Sequence, residues 1–198
     1  PYTHLAYTSG AGKEQHLNLT HAQQFTPQWY FSTDFRLISA PGNYQNQRND
    51  LNTLVSKLEY NTRNHRYHAM LAFGHYKYRN RHNGGILNDS LFLSNSESDP
   101  GVIPVNLASA SSVNRNTGWV LRHRLSLRKS DGNTDAAPAW LPRTLSHMAS
   151  VSNQYRNYLD SDPGNDIYGA ILKDSTTTFD STGLRLFTNT VSLTNAGT

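Results

Sequence analysis

The stretch WYFSTDFRLI, from Trp29 to Ile38, decides the fold of this chain. Apart from Thr33, every second position carries a large apolar side chain, and the positions between are mostly polar. Successive side chains of a β-strand point to opposite faces, so this alternation predicts a strand with one apolar and one largely polar face. Its length also matches the roughly 9 to 11 tilted residues that a strand needs to cross a bilayer. The stretch therefore predicts a membrane-crossing strand.

The same alternation recurs from Tyr67 to His75 and from Trp119 to Leu127. Five weaker stretches bring the predicted strands to about eight, with no helical pattern competing. These are Tyr2 to Thr8, Gln15 to Gln23, Asn52 to Tyr60, Thr144 to Tyr155 and Leu184 to Leu193. The predicted fold class is all-β, an antiparallel up-and-down transmembrane β-barrel.

Two details fit this pattern less well. His123 falls within the apolar face of its strand, where a lipid-exposed imidazole would be costly. Residues 144–155 carry small and polar side chains on both faces. Either the register differs there, or those strands face protein.

The connections between the strands alternate in length. Short turns occupy residues 24–28 and 61–64. Long connections, rich in Asn, Gly, Ser and Asp, occupy residues 40–50, 77–116 and 157–183. Short turns at one end and long loops at the other are typical of outer-membrane barrels. The connection at residues 128–142 is the exception, since it is longer than its end of the barrel predicts.

Composition favours a sheet with one wet face over a conventional globular core. Hydrophobic residues make up 36% of the 198 residues, and the mean hydropathy is -0.66. Yet 11 Tyr, 7 Phe and 3 Trp, with only 16% charged residues, argue against disorder. The chain has no Cys, which excludes disulfides and thiolate metal sites. A net charge of +4 is spread along the sequence, which favours solvated faces and loops over nucleic-acid binding.

The order of several motifs resembles a known family. Gly12-Lys13-Glu14-Gln15 opens a strand, residues 37–42 lead to Tyr44 and Gln47, and Asn83-Gly84-Gly85-Ile86 follows a Tyr-rich strand. The stretch from Arg143 to Tyr158 is followed closely by Asp160. Together these motifs, which span most of the chain, resemble the putative porin family of Gram-negative outer membranes. The resemblance implies an outer-membrane barrel with more strands than this chain supplies, and passive diffusion as its activity.

The two ends of the chain lead us to expect an internal piece of such a barrel. The sequence begins at Pro1 without a signal peptide, and its last predicted strand runs into residues 194–198 without a terminal aromatic residue. Residues 1–198 are accordingly expected to form a single segment of one barrel domain. A closed barrel of eight strands would be filled by side chains and would have no open channel.

Charged and polar side chains on the face opposite the aromatic residues are the candidates for lining a pore. A transverse field from such side chains would tune ion selectivity. Salt bridges across neighbouring strands could also stabilise the wall, and both roles can hold together. The pore-lining candidates are Tyr30, Asp34, Arg36, Lys57, Glu59, Arg66, His68, Arg122 and Arg124.

Four aromatic residues lie near strand ends, where barrels carry interfacial aromatic girdles. The alternative for them is ordinary packing inside a soluble sandwich. The girdle candidates are Trp29, Tyr60, Tyr67 and Trp119.

Other chemistry is weakly supported, and we expect neither an enzyme nor a cofactor. His65 and His68 would point to opposite faces of a strand, so with His75 they do not predict a metal site. Ser146-His147 and Ser152 lack a nucleophile elbow. The acidic segments at residues 95–100 and 160–166 lack the calcium-loop pattern.

Three functions from different classes remain open at this point. The first is a passive outer-membrane channel for small polar solutes. The second is a soluble or surface β-sandwich that binds glycans through aromatic residues and Asn-rich loops. The third is a non-conducting barrel that anchors an envelope complex. The expected partners are membrane lipid and lipopolysaccharide, small polar solutes and envelope proteins, but no nucleic acid.

Overall fold

The computed structural model shows one antiparallel sheet of eight strands. It describes residues 1–93, 99–127 and 144–161, and the backbone of residues 182–197. The strands are β1 (Tyr2–Ser9), β2 (Gln15–Thr26), β3 (Trp29–Ala40), β4 (Asn49–Asn61), β5 (Tyr67–Arg81), β6 (Ser111–Ser126), β7 (Thr144–Asp160) and β8 (Thr182–Gly197). One short helix, α1 (Asp89–Leu93), and two 3-10 turns, Ala11–Lys13 and Pro100–Val102, lie in the connections.

Each strand pairs with the next in the chain, in the order β1 to β8. This arrangement confirms the predicted all-β, up-and-down fold with about eight strands. Over the described residues no ladder joins β8 back to β1, so the sheet is open, which is consistent with part of a barrel. We call the end with the short β2–β3 and β4–β5 turns the turn end, and the opposite end the loop end.

The strands are longer at the loop end than the sequence pattern predicts. β5 runs to Arg81 and pairs with β6 from Ser111 onward, so the predicted loop at residues 77–116 is wrong at both of its ends. β7 likewise continues through residues 157–160, which were predicted as loop. Polar residues occupy both faces there, so the hydrophobic period of two disappears although the backbone pairing continues. The predicted connection at residues 128–142 lies outside the described residues.

Buried side chains are concentrated in a connection and not in the sheet. Among the described residues, the buried hydrophobic side chains are Ile103, Val105, Leu107 and Ala110, all between β5 and β6. Large apolar side chains on the strands are exposed, for example Leu5 at 67% and Trp119 at 48%. The described part of the chain forms one sheet without a second layer, so the strands cannot bury a conventional core.

The buried residues belong to a small folded unit at the loop end, which we call the loop cap (residues 82–93 and 99–110 with residues 43–48). Asn46, in the β3–β4 connection, donates its Nδ2 to the carbonyl oxygens of His82, Leu107 and Ala110 at 2.7, 3.0 and 2.9 Å. Ser109 donates a hydrogen bond to Asp160 of β7, whose side chain is fully buried. The loop cap is thus tied both to a neighbouring connection and to the wall.

Candidate functional site

The strand pairing sorts the predicted pore-lining residues onto one face of the sheet, the polar face. Tyr30, Glu59 and Arg122 lie in one cross-strand row, because Tyr30 pairs with Glu59 and both Glu59 and Arg122 pair with Met70. The alternation of the strands places the others on the same face. These are Asp34, Arg36, Lys57, His68 and Arg124.

Arg66 sits differently from the other candidates. It precedes β5 in the β4–β5 turn, and its guanidinium donates to the carbonyl oxygens of Ser126 at 3.2 Å and Leu127 at 3.1 Å. This residue therefore ties the turn to the end of β6. The role of all nine residues in lining a pore stays a prediction.

The carboxylates on the polar face of β3 and β4 are held by neighbours. Glu59 accepts an ion pair from Lys57, with Nζ and Oε1 2.8 Å apart, and its other oxygen lies 4.0 Å from Nε2 of His68. Asp34 accepts a hydrogen bond from Thr20 on β2 at 2.8 Å. The Lys57 ammonium also lies 5.7 Å from the ring centroid of Tyr30. Cross-strand and same-strand contacts therefore fix both acidic groups against the wall.

The arginines of this face differ from its carboxylates, which are held by neighbouring side chains. Arg36, Arg122 and Arg124 are all exposed. Within the part of the chain that the structure describes, the ion pairs found involve none of the three. Their guanidinium groups therefore project from the wall with their charge available.

A shallow groove of about 560 Å³ runs over β4 to β7 beside these charges. Small side chains on the polar face, including Ala72, Gly74, Gly118 and Ser152, leave this space. A Cβ at Gly118 would lie 3.1 Å from the carbonyl oxygen of Val151, so a side chain there would push β6 away from β7. The groove has the volume of an ordinary small-molecule site. The sequence interpretation did not single out these small residues.

The opposite face, the apolar face, carries the band of large hydrophobic side chains. Leu121 pairs with Leu71, and Leu71 pairs with Leu58. Leu58 in turn pairs with Phe31, which gives one apolar row across four strands. Leu71 and Leu121 are 41% and 42% exposed, so no described residue covers this row.

The apolar band crosses the strands obliquely. On β2 the two leucines, Leu17 and Leu19, pair with Leu37 and Phe35 nearer the loop end of β3, while Phe25 lies at the turn end of β2 and stacks on Phe31. On β6 the band is centred near Leu121, which is level with Phe31 near the turn end. From the leucines of β2 to Leu121 of β6 the shift is about one residue per strand, which at 3.3 Å per residue and 4.8 Å between strands means a tilt of about 35°. Transmembrane barrels tilt their strands by about that angle.

Three of the four predicted girdle residues form one row of rings at the turn end. Ring centroids lie 4.7 Å apart for Trp29 and Tyr60, and 6.4 Å apart for Tyr60 and Tyr67. Trp119 contacts Phe73 instead, at 4.6 Å, further toward the loop end. If the strands are tilted as the band indicates, Trp119 lies at the other margin of the band.

His123 extends the same row of rings and has a partner that the sequence interpretation missed. Its ring lies 6.1 Å from that of Tyr67, and its Nε2 lies 2.8 Å from Nδ1 of His147 on β7. The imidazole is therefore hydrogen-bonded at the margin of the band. The strand register pairs these two histidines directly, but register between distant strands cannot be read from the sequence.

Among the described residues, the loop end carries an ion pair of good geometry between Arg48, just before β4, and Asp50 at the start of β4. Nε of Arg48 donates to both carboxylate oxygens of Asp50, at 3.1 and 2.9 Å. That hydrogen bond, and then the charge of Asp50, raise the pKa of Arg48 above its ordinary value. The arginine stays charged at any pH at which the protein is folded.

Among the described residues, no three His, Cys, Asp or Glu side chains come close enough to hold a metal ion. Most of the two acidic segments, at residues 95–100 and 160–166, lies outside that part of the chain.

No helix in the described part of the chain is long and apolar enough to span a membrane.

Comparison with known proteins identifies the family of this chain. A search of the curated proteins and a search of the solved structures each found nothing similar to this chain. A family model described as "Putative porin" matches residues 1–197, nearly the whole chain. The chain therefore belongs to the putative porin family.

Proposed function

We propose that this protein forms the wall of an outer-membrane channel through which small polar solutes diffuse passively. The observation that carries the proposal is the contrast between the two faces of the sheet. One face presents an oblique band of exposed apolar side chains, and the other presents exposed arginines beside a groove. A wall between hydrocarbon and water needs these two faces.

The exposed apolar band supports lipid, and not water, as the medium that contacts this face. Soluble proteins rarely expose contiguous apolar surface larger than a few hundred Å². A soluble sandwich would cover such a band with a second sheet, whereas the described strands all belong to one sheet. Hydrocarbon is the partner that fits the band, with membrane lipid and lipopolysaccharide around it.

The family supports the cellular location and the absence of catalysis. Porins are membrane channels, and an outer-membrane location follows for the family in general. We therefore propose transport without a catalytic step and without a cofactor.

Fractionation of cells expressing the full-length protein tests the location. We expect the protein in the outer membrane, extracted only with detergent and with the gel mobility of a folded barrel before heating. A monodisperse soluble protein obtained without detergent would overturn the proposal in favour of a soluble binding module.

Conductance tests the activity. The purified full-length protein in planar bilayers is expected to give stepwise ion currents. A correctly folded barrel that passes no current would instead support the anchoring role.

A further inference from the structure

We propose that the polar face selects anions, and that the solutes of this channel are small oxyanions such as carboxylates and phosphate. The inference rests on the proposed function, because it assigns a charge preference to the same wall. It starts from the charged side chains that the polar face carries on β1 to β7.

Cations outnumber anions on this face. The strand register places five cationic side chains there: Arg36, Lys57, Arg122, Arg124 and Arg156. It places three carboxylates on the same face, namely Asp34, Glu59 and Asp160. The fixed charge of the wall is therefore positive before histidine is considered.

Because the cationic side chains are more exposed than the carboxylates, the excess of positive charge that a passing solute meets is larger than the count alone indicates. The four arginines are exposed, whereas Lys57 is half-buried in its ion pair with Glu59. Asp34 and Glu59 are half-buried, and Asp160 is fully buried under the loop cap. Every exposed charged side chain on the polar face of β1 to β7 is thus an arginine.

Three of these arginines lie at the depth of the apolar band. Arg36 stands between Phe35 and Leu37, and their side chains point to the other face of β3. Arg122 and Arg124 lie between Leu121 and Leu125 of β6 in the same way. Their charges are therefore placed where a low-dielectric wall strengthens the field on a solute.

The chemistry of arginine favours oxyanions. Its planar guanidinium presents paired N–H donors that match two oxygens of a carboxylate or phosphate, and it sheds water more readily than an ammonium group. Rings of Arg or Lys are the usual means by which pores prefer anions. The neighbouring groove of about 560 Å³ leaves room for a small organic anion.

Reversal potentials of the full-length protein in a KCl gradient test the charge preference. The wild type is expected to pass chloride several-fold better than potassium. The triple variant Arg36→Gln, Arg122→Gln, Arg124→Gln is expected to lose most of that preference. A matched triple variant, Lys77→Gln, Arg79→Gln, Arg115→Gln, removes the same charge from the opposite face at the loop end and should leave the ratio unchanged.

The outcomes separate this inference from the proposed function. Currents that are unselective or cation-selective in the wild type would overturn the inference and leave the channel intact. An equal shift in both triple variants would also overturn it, because the effect would then come from overall charge. A folded barrel without any current would overturn both proposals.

Competition tests the class of solute. Millimolar inorganic phosphate or acetate is expected to reduce the chloride current of the wild type, and to do so less in the arginine triple variant. No reduction in the wild type would overturn the oxyanion assignment. If the triple variant fails to fold, Arg122→Gln alone should give a smaller shift in the same direction.

Discussion

The two faces of this sheet are equally uncovered by protein but differ in what they carry. Leu71 and Leu121 on the apolar face are 41% and 42% exposed, and the arginines on the polar face are exposed as well. Burial therefore does not distinguish the faces, and neither one is a protein core. Under the proposed function, each face is adapted to its own solvent, one to hydrocarbon and the other to water. Substitutions on adjacent residues of one strand can test that assignment.

The largest effect is expected from a charge placed in the apolar band. Leu71→Arg should destabilise the folded barrel in lipid by about 2 to 4 kcal/mol, the cost of arginine near the bilayer midplane. Ala72→Arg, on the adjacent residue of β5, is the matched control and should cost far less because its side chain points to the polar face. Urea titration of the refolded full-length protein in vesicles measures both. Equal costs for the two variants would break the assignment of the faces.

An intermediate effect is expected where the polar face ends, at the loop cap. Asn46→Ala removes the amide that serves three carbonyl oxygens and leaves alanine at a φ of 49°. Ala110 still accepts from the backbone N–H of His82 at 3.0 Å, but the carbonyls of His82 and Leu107 lose this donor, and an unpaired buried acceptor costs about 1 to 3 kcal/mol. Limited proteolysis in intact membranes should show faster cleavage of the β5–β6 connection.

The control for that variant lies at the turn end. Asn64→Ala removes an exposed side chain that accepts hydrogen bonds from Thr62 and Arg66 within one turn. Its cleavage pattern should match the wild type. Unchanged proteolysis of the Asn46 variant would show that the loop cap does not depend on this amide.

The smallest effect on stability is expected inside the polar face. Glu59→Gln breaks the 2.8 Å ion pair with Lys57, and both partners are partly exposed. Pairs of this kind contribute about 0 to 1 kcal/mol, so the urea midpoint should barely move. The freed lysine should instead raise the preference for chloride over potassium. A drop in that preference would contradict a positive wall.

Period-two patterning in the sequence was sufficient to predict the strands that carry the apolar band. Trp29 to Ile38 is almost the whole of β3, and the two faces of β6 follow the alternation around Leu121 and Arg122. Hydrophobic alternation ends where the band ends. The continuations of β5, β6 and β7 carry polar residues on both faces, so they leave no such pattern.

The missed parts of the site depend on contacts between residues far apart in the chain. Asn46 reaches Ala110, and His123 reaches His147, only through the register of the sheet. One local signal for the loop cap was available, since Ile103, Val105 and Leu107 alternate within the connection. Eight of the nine pore-lining candidates could be placed on a strand face from the sequence, whereas Arg66 lies in the β4–β5 turn. The pairing that leaves the arginines available could not be predicted.

The continuation of β5 beyond the apolar band sets the distance between the loop cap and that band. Eight residues of β5 follow Phe73, so if the band lies in hydrocarbon as proposed, they raise the loop cap roughly 20 Å above it at the tilt of a barrel strand. If the loop end faces outward, an antibody, a phage tail or a protease encounters the cap before the pore.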